Sequence, residues 1–278
     1  MIRFASLLAA LSITATAAFA QGTPADPHAG HTMPTNTSPP QPGAPVPPVT
    51  DADRAAAFPQ DLHGHTVHDG KVNYLVLFDQ LEWQTRGDSN GLNWDNKTWI
   101  GGDLNRAWIH SEGATEGGTV EEAEVHVTYG RSFARWWDVL AGIRYDVRPG
   151  PSQAWAAFGI QGLAPQWFEV QATLYVGESA TTLARFEVEY ELLLTQRLVL
   201  QPLVELNVYG KSIPERGIGA GLSSAEAGLR LRYEIRREFA PYVGAVWHRQ
   251  FMGTADFTEA AGRSVGGWHL AAGVRTWF

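Results

Sequence analysis

The chain has 278 residues, 29 acidic against 21 basic side chains for a formal net charge of -8, no cysteine, 11 tryptophans and 29 glycines. The missing cysteine excludes disulfides, thiolate metal sites and cysteine nucleophiles. The acidic balance, with no basic stripe or tail, excludes nucleic acid as a partner and leaves cations as the charged species the chain would attract.

In chain order, Met1-Ile2-Arg3 is followed by an apolar run from Phe4 to Phe19 that closes on Ala18-Phe19-Ala20. A basic start, a short apolar core and an A-x-A site predict a secretory signal peptide over 1–20. The alternative, a membrane anchor, has against it a short core interrupted by Ser12, Thr14 and Thr16. No later stretch is apolar enough for a spanning helix, so membrane insertion of the mature chain would require a barrel. Residues 21–70 are rich in Pro, Thr, Ala, Gly and Ser, with Pro39, Pro40, Pro42, Pro45, Pro47 and Pro48 close together. Such a composition buries no core and predicts a disordered tether. It carries two clusters, His28-x-x-His31-x-Met33 and His63-x-His65-x-x-His68-Asp69. Imidazole suits Cu(II) and thioether adds affinity for Cu(I), so all six side chains are candidate copper ligands. The competing reading is a linker that happens to contain histidine.

From residue 71 to 278 the pattern changes to strict alternation. Between Leu183 and Tyr233 it is plainest: Ala184, Phe186, Val188 and Tyr190 alternate with Arg185, Glu187 and Glu189, and Leu229, Leu231 and Tyr233 with Arg230 and Arg232. One apolar face and one charged face suit a barrel in lipid, with the apolar face outside. Strands are predicted over 73–85, 92–100, 104–112, 119–131, 135–148, 152–163, 166–178, 182–194, 197–210, 222–235, 239–251 and 265–278. Short connections alternate with longer ones at 86–91, 113–118, 149–151, 179–181, 211–221 and 253–264. The expected fold is all-β: a closed antiparallel transmembrane β-barrel of about twelve strands behind a disordered N-terminal segment. An even strand count places both ends, and hence the tether, in the periplasm. The terminal Phe278 is the kind of closing aromatic that outer-membrane barrels carry.

The inward face collects Arg106, Arg144, Arg185, Glu187, Glu189, Glu205, Arg230, Arg232 and Glu234, together with Glu82, Glu122, Glu124, Asp138, Asp146, Glu169, Glu191, Glu226 and Arg275. Charges in a narrow lumen must be paired or hydrated. They predict either a structural plug of interlocking ion pairs or, since acids outnumber bases, a cation path. His126 follows Glu122 and Glu124 at spacing two, which makes these three a candidate lumen metal set. His110, His248 and His269 are the other barrel histidines. No G-x-S-x-G elbow, H-E-x-x-H or P-loop is present, and no Ser and His share a convincing face, so the chain reads as a non-enzyme, with a barrel hydrolase as the remote alternative.

Several long blocks resemble the copper resistance protein B family (CopB) of bacterial outer membranes: Phe78-Asp79-Gln80-Leu81-Glu82-Trp83, Trp99 to Arg106, Glu189 to Pro202, Pro214 to Gly219, Leu229 to Tyr242, and Gly253 to Asp256. The resemblance spans about Val72 to Phe278. It implies an outer-membrane barrel in contact with lipid, a copper ion as the bound species, and periplasmic copper proteins as partners. Family members often carry a methionine-rich N-terminal region, whereas this chain has Met33 alone there among its histidines, which leaves the oxidation state of the copper open.

Overall fold

The computed structural model describes residues 48–57, 71–86 and 89–278. The chain divides into two units, Met1–Thr66 and Val67–Phe278. In the first, Asp51–Ala57 forms a short helix, α1, inside the stretch expected to be an extended tether. Its start is capped reciprocally: the Asp53 N–H donates to Thr50 Oγ1 at 3.2 Å and the Thr50 N–H to Asp53 Oδ2 at 2.8 Å. Local capping of this kind offsets part of the nucleation cost of so short a helix. The predicted signal peptide and His28, His31, Met33, His63, His65 and His68 lie outside the described residues.

The second unit is one closed antiparallel sheet. Its strands are β1 (Asn73–Arg86), β2 (Ser89–Gly101), β3 (Asn105–Glu116), β4 (Thr119–Ala134), β5 (Trp137–Arg148), β6 (Gln153–Leu163), β7 (Glu169–Gly177), β8 (Thr182–Glu189, resuming at Leu192–Leu193), β9 (Leu198–Tyr209), β10 (Gly221–Tyr233), β11 (Phe239–Gln250) and β12 (Gly266–Trp277). Each pairs with its sequence neighbours, and β12 returns to β1 to close a twelve-stranded barrel among the described residues. The closing seam extends to the last residue: the Phe278 N–H donates to Val76 O at 2.9 Å and the Val76 N–H to Phe278 O at 3.1 Å. The interruption in β8 has a local cause. The flanking register sets Tyr190 opposite Pro202, and a proline contributes no N–H to the ladder.

The outer surface is apolar, with Tyr74, Ile143, Val243, Trp268 and Leu270 all exposed. The interior is where the charges are: Glu82 and Asp146 have no exposed surface, and Arg230 and Arg232 are 2% and 1% exposed. This inversion of a soluble protein is what lipid outside and a polar lumen inside demand. Among the described residues no helix is long and apolar enough to cross a membrane; the strands do the crossing.

The structure corrects the expected loop lengths. Strand pairing runs past the glycines, so that Arg86 already pairs with Ser89, and Glu116 with Thr119 across Gly117-Gly118. Both of these glycines have positive φ, 56° and 84°, the conformation a two-residue hairpin turn needs. Only two connections at that end are long. One, between β9 and β10, carries the turn Pro214–Arg216. The other, expected as an open loop over 253–264, contains the helix α2, Met252–Ala260.

Candidate functional site

Alternation along each strand turns one set of side chains inward, and the barrel brings sets from opposite walls into contact. Near the short-turn end, Arg232 donates to Gln201 Oε1 and Glu191 Oε1, both at 2.8 Å, and Gln201 donates to Glu189 Oε1 at 2.6 Å. Glu234 pairs with Arg237 at 3.0 Å. Arg106 lies 3.7 Å from Asp138 and stacks over Trp99 at 4.9 Å. Arg275 donates to Asp79 Oδ1 at 2.6 Å.

Farther up, Arg230 grips both oxygens of Glu82, Nε to Oε2 at 2.9 Å and Nη2 to Oε1 at 2.8 Å. Tyr242 Oη donates to the same carboxylate at 2.9 Å and Gln84 Nε2 at 2.6 Å. Gly273 leaves the space for this knot: a Cβ there would come 2.6 Å from Glu82 Cβ and 2.7 Å from Tyr242 Oη. The bidentate pair with every remaining lone pair engaged is the geometry in which a buried ion pair offsets its desolvation.

On the facing wall, Lys97 sits between Glu187 at 3.2 Å and Asp95 at 3.6 Å. Arg185 reaches Glu112 at 2.9 Å, Glu124 at 2.7 Å and Glu205 at 3.7 Å. Arg144 bridges Glu124 at 2.5 Å and Asp146 at 2.6 Å. Asp146 also receives Trp155 Nε1 at 2.9 Å and Arg216 Nη2 at 2.7 Å. Arg216 comes from the long connection between β9 and β10, so this loop folds into the barrel mouth. Ile218 of the same loop is buried against Trp155, Tyr175, Leu183 and Tyr209. Thr254 of α2 holds the loop from outside, accepting from the Gly219 N–H at 2.8 Å.

Of the candidate metal set, Glu124 Oε1 is 2.9 Å from His126 Nε2, while Glu122 is exposed. Among the described residues no three or more His, Asp or Glu side chains are arranged to hold a metal ion. His126 lies beside His110, ring centroids 5.1 Å apart, and both line a cavity with Lys97, Trp108, Thr173 and Tyr175. His269 is spent elsewhere, on Thr85 O at 2.7 Å. Asp95, Lys97, Glu112, Asp79 and Arg216 join the lumen charges expected from the sequence. The period-two signal reaches Asp95 and Lys97 on their strand and Glu112 two after His110. Asp79 is hidden by a bulge between Phe78 and Gln80, which turns it inward out of phase with Glu82. Arg216 sits in a loop, where no periodicity applies.

Known proteins share this architecture and sequence. The family model described as copper resistance protein B precursor (CopB) matches residues 72–278. A copper resistance protein B homolog of Pseudomonas syringae pv. tomato is 48% identical over 276 residues, covering 98% of this chain and 94% of that protein. Copper resistance protein B of Escherichia coli is 45% identical over 269 residues, covering 91% and 90%. Among solved structures the NanC porin aligns with a TM-score of 0.50 at 12% identity, covering 73% of this chain and 99% of its own, a likeness of fold alone. A barrel with an apolar exterior, matched in sequence along its full length, identifies the chain as an outer-membrane protein that belongs to the copper resistance protein B (CopB) family.

Proposed function

We propose that the protein binds copper and assists its handling or passage across the outer membrane. The observation that carries the reading is the family match along the whole barrel, residues 72–278, which supports a copper role for the lumen. In this reading His28, His31, Met33, His63, His65 and His68 capture copper in the periplasm, where the short-turn end and the start of β1 face. The acidic lumen takes the ion from there or passes it back, with Glu122, Glu124 and His126 on its route. Periplasmic copper proteins are the partners that deliver or receive it. Carboxylates outnumber cations along the wall that holds His110 and His126, which favours a cation over an anion. The reading proposes no covalent or redox step.

A second reading is a structural barrel with a salt-bridged, plugged lumen and no metal transport; the closed Glu82–Arg230–Tyr242 knot and the Arg216–Asp146 contact favour it. Titration of the refolded full-length protein with Cu(II) and with Cu(I), in detergent, separates the two. Copper uptake that falls when the six tether ligands are replaced by serine, together with reduced copper tolerance of cells carrying that variant, is the expected result. No uptake of either ion by the full chain would leave the structural barrel as the description.

A further inference from the structure

His110 on β3 and His126 on β4 are direct cross-strand partners. Each ring is held through Nε2 by a carboxylate: Asp95 Oδ1 at 2.8 Å for His110, Glu124 Oε1 at 2.9 Å for His126. The carboxylates are themselves fixed, Asp95 by Lys97 and Glu124 by Arg144 and Arg185. A carboxylate on one imidazole nitrogen keeps the proton there and leaves the lone pair on the other, which is how metal-binding histidines are oriented. Here the nitrogen so prepared is Nδ1 on both rings.

His126 Nδ1 faces Tyr175 Oη across 3.4 Å. That distance is long for an O–H···N hydrogen bond. The contact lies at the weak end of the hydrogen-bond range, and it sets an imidazole nitrogen and a phenol oxygen side by side at the cavity. His110, His126 and Tyr175 all line the same cavity. His126 and Tyr175 are 5% and 0% exposed.

We propose that His110 Nδ1, His126 Nδ1 and the Tyr175 phenol oxygen form a metal station inside the barrel that takes Cu(II). Asp95 and Glu124 are its positioning residues, and water completes the coordination. The proposal rests on the copper reading above; of that reading's lumen residues it keeps His126 as a ligand and makes Glu124 a positioning residue. Two imidazoles with oxygen donors suit Cu(II) among the divalent ions. The carboxylates are poor competitors for the ion. The fully buried side-chain polar atoms without a partner are all nitrogens among the described residues, and Glu124 would have to release Arg144 or Arg185 to ligate. The charged groups around the station are Asp95, Glu112, Glu124, Asp146, Glu187 and Glu205 against Lys97, Arg144, Arg185 and Arg216, two negative charges in excess. Arg144, which stacks over the Tyr175 ring at 4.9 Å, is matched by Glu124 and Asp146. Binding displaces the phenol proton to solvent.

The test uses the full-length refolded protein and a background variant in which the six tether ligands are serine, each titrated with Cu(II) and read by electron paramagnetic resonance and visible absorption. The background variant is expected to bind one Cu(II) with couplings to two nitrogens. Added to it, His110→Gln or His126→Gln removes one nitrogen coupling and weakens binding at least tenfold. Tyr175→Phe keeps both nitrogens and abolishes the phenolate-to-copper absorption. Asp95→Asn weakens binding roughly 10–100-fold with the nitrogen count unchanged, the mark of a positioning residue. Heat-modifiable mobility on gels shows that each variant is folded. Cu(II) bound by the full chain but not by the background variant overturns the station and leaves capture in the tether. Cu(II) bound by neither overturns the station, and the copper-binding reading falls with it when the full chain takes up no Cu(I) either.

Discussion

Glu82 has no exposed surface, and four hydrogen bonds from three strands, its own among them, end on its carboxylate. Glu82→Gln keeps the shape of the side chain and removes its charge, leaving Arg230 buried without the carboxylate it grips. Breaking one side of such a pair costs about 3–5 kcal/mol, whereas replacing both sides with apolar groups of similar volume is close to neutral. Urea unfolding in detergent should therefore show Glu82→Gln strongly destabilised, and Glu82→Met combined with Arg230→Met recovering most of the loss. Equal losses for the single and double variants would mean that the knot acts through more than its charge. The participants were unequally legible. Glu82 and Arg230 follow from alternation within their own strands. Their pairing does not, because it joins residues 148 positions apart, and only closure of the barrel sets β1 and β10 to face the same space.

At the scale of elements, three devices bend the regular pattern. The bulge in β1 turns Asp79 inward beside Arg275, Pro202 interrupts β8 from across the ladder, and the connection between β9 and β10 drops Arg216 into the mouth. The last is the most open to test. Asp146 keeps Arg144 and Trp155 when Arg216 is lost, so the barrel should stand in Arg216→Ala while the loop loosens. The variant loses the bond to Asp146 and the longer ones to Pro151 O and Gln153 Oε1; the charge-assisted bond to Asp146 alone is worth about 1.5–3 kcal/mol, which raises the open population of the loop roughly tenfold or more. Trypsin cleavage after Lys211 should accelerate by that factor with heat-modifiable mobility unchanged. An unchanged cleavage rate would show that Ile218 and the Thr254 contact hold the loop without the arginine. The sequence marks Pro214 to Gly219 and Gly253 to Asp256 as family blocks, and the structure shows them joined, through the Gly219 N–H on Thr254 Oγ1.

For the whole molecule, the distribution of charge is the inverse of a soluble domain, and its stability depends on the surrounding solvent being lipid. Val243 is 61% exposed near mid-strand on β11. An arginine on the lipid face at the bilayer midplane costs about 2–4 kcal/mol. Val243→Arg should lower folding into phospholipid vesicles by that amount, as measured by urea titration of the folded fraction. An unaffected variant would place Val243 outside the hydrocarbon layer.

The sequence by itself determined the fold class, the strand order and which residues look outward, because a period of two needs no knowledge of distant chain and because lipid permits only the apolar face outside. Strand ranges read from alternation alone agree with the observed ones to within a few residues at most ends. They fall short at the first two hairpins of the long-loop end, where backbone pairing continues after the apolar signal has stopped. The tertiary structure decided everything that depends on which walls meet: the partner of each inward charge, the folding of a loop arginine into the mouth, and the placing of His110 beside His126 at the cavity that Tyr175 also lines. Those are contacts across a closed cylinder, and the phase of a single strand carries no information about the far wall.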